Sequence, residues 1–193
     1  NGSVALRGTG PYTISMLDPS KEVTSRVIQI KSACTVTLDG IKMDASTMQK
    51  NPPIDIDSGL DGVTLILNGK NYIKGAELTS AIDNHGTPLM IKGDGSLTAI
   101  AGSGSAAIGG SVGQSGNHIT IAGGNLTLYG ASGSACIGGG DRASGTDIEI
   151  SGGVVHLIQK NPAYLLGGSR SYGTTEGICI SGGEVIGMIE YQG

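Results

Sequence analysis

The chain has 193 residues, with 35 glycines, no Trp or Phe, 15% charged residues and a formal net charge of -4. So weakly charged a surface has no basic patch for phosphates, so nucleic acid is not an expected partner. No run of eighteen apolar residues occurs, so no membrane insertion is expected of this fragment, and the glycine content is too high for long helices.

Taken in chain order, residues 1–25 match no repeat and are expected to form an N-terminal cap or a first irregular coil. Residues 26–193 are expected to stack as coils, so that 1–193 is a single domain. Two columns of residues in step mark the coils. One runs through Ile54, Ile82, Ile108, Ile137 and Leu166, at intervals of 28, 26, 29 and 29 residues. The other begins at Ile91-Lys92-Gly93-Asp94-Gly95 and returns as Ile121-Ala122-Gly123-Gly124, Ile150-Ser151-Gly152-Gly153 and Ile180-Ser181-Gly182-Gly183. Between these markers lie alternating runs such as Ile119-Thr120-Ile121 and Leu126-Thr127-Leu128, bounded by glycine, which is the pattern of strands. The fold class expected is therefore all-β, a right-handed parallel β-helix (solenoid) of roughly six coils with about 24–30 residues per coil.

Such a coil places alternate side chains of each strand inside. Leu97/Ala99, Leu126/Leu128 and Val155/Leu157 are predicted to point inward beside the isoleucine column. Cys136 holds the position of Ala81 and Ala107 and is expected to be a small buried residue; no spacing of Cys or His suggests zinc.

The run Ile-x-Ile-x-Gly-Gly-x-Leu-x-Leu at 119–128, followed by Gly133-Ser134-Ala135-Cys136-Ile137-Gly138-Gly139-Gly140, resembles the Gly-Gly repeats of large cell-surface proteins of gut Firmicutes and Bacteroidetes. The stretch from Leu67 to Gly75, then Ser80-Ala81-Ile82, is similar to the same proteins, and the likeness spans about residues 26–186. The resemblance implies a carbohydrate-binding or adhesin-like module on a polysaccharide-lyase-type β-helix, with a polysaccharide or host or cell-surface glycan as partner. The chain begins at Asn1 without Met or a signal sequence and reads as a fragment of a longer exported protein, extracellular or at the cell surface.

Two groups of residues are candidate sites. If Ile54 and Ile82 stack, Asp55 and Asp83 fall on adjacent rungs with Asp57 and Asn84 close by, and carboxylates so placed would accommodate Ca²⁺. The plainer expectation is an exposed turn in which Asp and Asn satisfy backbone donors. If the leucine pairs face inward, Ile100, Tyr129, Ile158 and Met188 face outward on successive rungs, with Thr98, Thr127, His156 and Ile186 beside them. Tyr72 shares this outward side. An apolar column of that kind is expected to contact a ligand or a second copy, or else to lie under Asn161 to Thr175 or the first 25 residues. The remaining acids are scattered, so the convergent carboxylates of a glycan-cleaving enzyme are not evident. A non-catalytic adhesive or carbohydrate-binding surface module is the leading expectation, with a structural spacer or a glycan-cleaving enzyme as alternatives.

Overall fold

The computed structural model describes residues 3–48, 50–159 and 164–189, and every helix or strand assigned in them is a strand. The chain winds as a parallel β-solenoid with about 29 residues per turn, and seven strands stack along its first sheet. Its opening rung is β1 (Val4–Leu6) and β2 (Tyr12–Ser15). The next comprises β3 (Ile28–Ile30), β4 (Cys34–Asp39) and β5 (Lys42–Asp44). Then follow β6 (Ile54–Ile56), β7 (Val63–Asn68) and β8 (Lys70–Lys74), and after them β9 (Ile82–Asp83), β10 (Leu89–Gly93) and β11 (Ser96–Ile100). In the later rungs the last two strands fuse: β12 (Ile108–Gly109) leads to β13 (Ile119–Gly130), and β14 (Ile137–Gly138) to β15 (Gly145–Gln159). The closing rung is β16 (Leu166–Gly167), β17 (Thr175–Ile180) and β18 (Glu184–Ile189).

One sheet runs β1-β3-β6-β9-β12-β14-β16, and the other carries the remaining strands. The isoleucine column is the spine of the first sheet: Ile28, Ile54, Ile82, Ile108, Ile137 and Leu166 are paired in direct register. The first rung extends this file, since Val4 pairs with Ile28 and Tyr12 with Val36. Coil stacking thus begins at residue 4, within the segment whose sequence matches no repeat.

The second sheet bends within each coil. In β13 and β15 the chain passes through the bend without leaving the sheet, and the register shifts between Ile121 and Asn125, at the Gly123-Gly124 pair. Alternate positions on both sides of the bend point inward. Leu97, Ala99, Leu126, Leu128, Val155 and Leu157 are all buried, as their alternation predicts. A polar group enters this interior once in β8: Asn71 is buried, accepts a hydrogen bond from the Ile41 amide at 3.0 Å and donates to the Asn68 and Ser96 carbonyls. Its side chain therefore serves the backbone of two neighbouring rungs and avoids the penalty of an unpaired buried amide.

The corner after the isoleucine file closes on glycine. At Gly138, φ is +129°, and a Cβ there would run into the Gly167 carbonyl oxygen of the next rung. No helix of the described residues is long and apolar enough to cross a membrane.

Candidate functional site

Because strands stack in register, each outward position becomes a line of side chains along the rod at about 4.8 Å spacing. The first line on the outer face after the bend is Lys42, Tyr72, Thr98, Thr127, His156 and Ile186. The second is Asp44, Lys74, Ile100, Tyr129, Ile158 and Met188. The structure therefore brings the predicted surface residues onto one face, in the predicted order. Tyr72, Thr98, Ile100, Thr127, Tyr129 and His156 are half-buried there, and Met188 is exposed. Lys74 and Asp44 pair at 3.2 Å beside Tyr72, whose hydroxyl is pushed toward higher pKa by burial and by the Asp44 charge.

Ile158 departs from the expectation. It is 6% exposed, so the apolar column facing solvent is interrupted between Tyr129 and Met188. Two contacts tie this stretch of β15 to the turn that leads into β14, at the start of the same coil: the Ile158 carbonyl accepts from Cys136 Sγ at 3.3 Å, and the Gln159 side chain donates to the Ser134 carbonyl at 2.6 Å. Of the segments expected to cover the column, Asn161–Thr175 and residues 1–25, residues 161–163 and 1–2 lie outside the described residues, and Val4–Leu6 and Tyr12–Ser15 stack on the end of the rod as strands. Cys136 is fully buried, and burial pushes its thiol up to about 11, which leaves it a small core residue without nucleophilic character. Cys34 and Cys179 are likewise unpaired thiols, the first buried and the second exposed.

The second candidate lies on the first sheet. Asp55 and Asp83 are register partners on β6 and β9, as the Ile54–Ile82 stacking requires. The third carboxylate does not join them: Asp57 turns to Lys31, with Nζ to Oδ1 at 3.2 Å. What stands between Asp55 and Asp83 is His85. Its Nε2 lies 2.9 Å from Asp55 Oδ1, and its Nδ1 lies 3.5 Å from Asp83 Oδ1. Among the described residues no group of three or more His, Cys, Asp or Glu is arranged to hold a metal ion. The donor set expected for Ca²⁺, Asp55, Asp57 and Asp83, thus does not converge, because an imidazole and a lysine already answer the charges.

Asp83 is fully buried, and its carboxylate is met by three protein donors. The His85 amide donates to Oδ1 at 3.1 Å; the Ser111 amide and hydroxyl donate to Oδ2, at 3.2 Å and 2.5 Å. Ser111 is itself held by the Ser80 amide, 3.1 Å from its Oγ. Burial pushes the Asp83 carboxyl up, against the pull of His85 and Ser111. His85 is raised above the ordinary imidazole value by its hydrogen bond to Asp55, which with the Asp83 and Asp57 charges outweighs its partial burial. His85 and Ser111 were not foreseen as members of this group. The visible signal was the Asp83-Asn84-His85-Gly86 turn, in which a histidine two residues beyond a carboxylate can fold back to it.

A further pair, His118 and Asp147 at 3.2 Å, lies exposed on successive rungs, near the Thr120, Glu149, Cys179 line. No family model matches the sequence, and no match was found among curated proteins or solved structures.

Proposed function

We propose that the chain is a non-catalytic binding rod, an adhesive or carbohydrate-binding module of an exported bacterial surface protein, and that it engages its ligand along the outer face of β8, β11, β13 and β15. The observation that carries this reading is the in-register line Tyr72, Thr98, Thr127 and His156, flanked by Ile100 and Tyr129. Hydroxyl and imidazole groups repeat there on consecutive rungs, with aliphatic and aromatic surface beside them. A periodic row of weak contacts suits a periodic polymer, because each contact after the first forms at high effective concentration. The two tyrosines are the strongest contributors, since each offers area and a hydroxyl at low entropic cost. The resemblance to Gly-Gly-repeat surface proteins supports the same ligand class.

Incubation with insoluble polysaccharides tests the reading, with the supernatant assayed for reducing and unsaturated ends. Retention of the chain without new ends is expected, and the double variant Tyr72→Ala/Tyr129→Ala should lose retention while keeping its fold. No retention on any polysaccharide would leave the spacer reading, and new chain ends would establish a glycan-cleaving enzyme.

A further inference from the structure

The outward column of the first sheet reads Gln29, Asp55, Asp83, Gly109, Gly138 and Gly167. In the last three rungs glycine alone closes this corner. The repeat therefore has no need of a side chain at the position, yet β6 and β9 carry carboxylates there. One of them, Asp83, is withdrawn completely from water and requires three donors to be satisfied. His85, which bridges the pair, sits at φ +43°, a left-handed conformation that costs a residue with a side chain free energy. Strain and a buried charge at one corner of a column that glycine closes in its last three rungs mark a built feature.

That corner borders a cleft of about 420 Å³, within the usual size range of small-molecule sites. Its walls combine three chemistries. Asp55 and His85 present partly exposed polar edges, with side chains 23% and 29% accessible. Lys50 and Gln114 add donors and an acceptor, and Leu78 and Val112 are exposed aliphatic walls, 39% and 38% accessible. Charges of both signs face the same space, Asp55 against His85 and Lys50. An anion would meet the carboxylates and a cation the lysine and imidazole, so neither gains what a single-sign site provides. A neutral ligand with hydroxyls on its edges and C–H groups on its faces satisfies all three walls.

We propose that this cleft binds one neutral, polyhydroxylated unit, a single saccharide residue, through hydrogen bonds from its hydroxyls to Asp55 and Gln114 and aliphatic contact with Leu78 and Val112. The site lies on the first sheet, apart from the strand face of β8, β11, β13 and β15, and does not depend on that face binding polymer. His85 and Asp83 act as positioning residues: the buried carboxylate orients the imidazole, and the imidazole fixes Asp55. With no aromatic side chain among the described lining residues, affinity is expected in the millimolar range, roughly.

The test follows the ring resonances of the three histidines in the full chain by NMR while methyl glucoside, methyl galactoside and methyl mannoside are added in turn. Calcium chloride and sodium phosphate serve as charged probes. A saturable shift of His85 with at least one glycoside is expected, with His118 and His156 unmoved. Val112→Arg, at an exposed position, should abolish the shift, and Asp55→Asn should weaken binding about tenfold by removing a charge-assisted hydrogen bond. Tyr129→Ser should leave it unchanged, which separates this site from the strand face. No saturable His85 shift with any glycoside, or one that persists in Val112→Arg, would overturn the proposal, as would a saturable response to calcium or phosphate alone.

Discussion

At the scale of the residue, Asp83 and His85 concentrate the unusual energetics of the chain. Replacing Asp83 with Ala removes the acceptor of the Ser111 amide, the Ser111 hydroxyl and the His85 amide at once. Donors left unpaired in a buried turn cost about 1–3 kcal/mol each, so Asp83→Ala should lower the denaturation midpoint markedly, whereas Ser111→Ala, which keeps the amide donor, should lower it less. The pH dependence has a definite sign. His85 holds its proton more tightly in the folded chain than its ordinary value of 6.5, because Asp55 accepts from it. Its contribution is fully present below that value and is lost as pH rises through the raised folded value. Asp83, raised by burial from 3.8, acts in the same sense, its contribution being lost as pH rises through its own raised value. Thermal melts should therefore show a higher midpoint near pH 6 than near pH 8, and His85→Gln should flatten that difference. The pairing of Asp55 with Asp83 was legible in the sequence, because each follows an isoleucine of the column. The destination of Asp57 was not, since two residues further on the chain leaves the strand, and the Lys31 that meets it belongs to the preceding rung. His85 was hidden for a related reason: the path of a turn decides whether a ring folds back, and alternation says nothing about turns.

At the scale of the element, the corners are set by glycines that serve two different ends. Gly138 requires both a positive φ and the absence of a Cβ, since the Gly167 carbonyl occupies the space a methyl would take. Gly40, at φ +63°, has nothing within 4 Å of that space. Gly40→Ala should thus cost only the left-handed strain of about 1 kcal/mol, whereas Gly138→Ala must also push two rungs apart. Urea midpoints of the two variants separate the effects, and equal losses would show that backbone conformation alone matters at both corners. The Gly-Gly pairs were readable as turns between alternating runs, but not that β13 and β15 continue through them as single bent strands. Ladder pairing across the bend depends on the neighbouring rungs, which a single coil does not reveal. The outward lines were readable because a strand has period two, and the fate of Ile158 was not, since its burial is decided by what lies over the strand end.

At the scale of the whole molecule, a solenoid buries each interior residue between its neighbours along the axis, so the cost of a substitution depends on position in the file as well as on chemistry. The file Val36, Leu65, Ile91, Ile121, Ile150 and Ile180 shows this directly. Its first five members are inaccessible to water, but Ile180, on the closing rung, is 55% exposed. Ile121 is flanked on both sides, so truncation leaves a cavity that the rigid ladder cannot collapse, and Ile121→Ala should cost about 2–5 kcal/mol. Among the described residues Ile180 has a register partner on one side only, and the same truncation removes less buried surface and leaves no enclosed void. Ile180→Ala should lower stability by less than about 1 kcal/mol, since loss of a partly exposed side chain scales with the area it had buried. Chemical denaturation of the two variants, compared at constant slope, checks the prediction. Equal losses at Ile121 and Ile180 would mean that the closing rung is covered in solution, by a second copy or by other chain, and that the exposed edge of β17 is an interface.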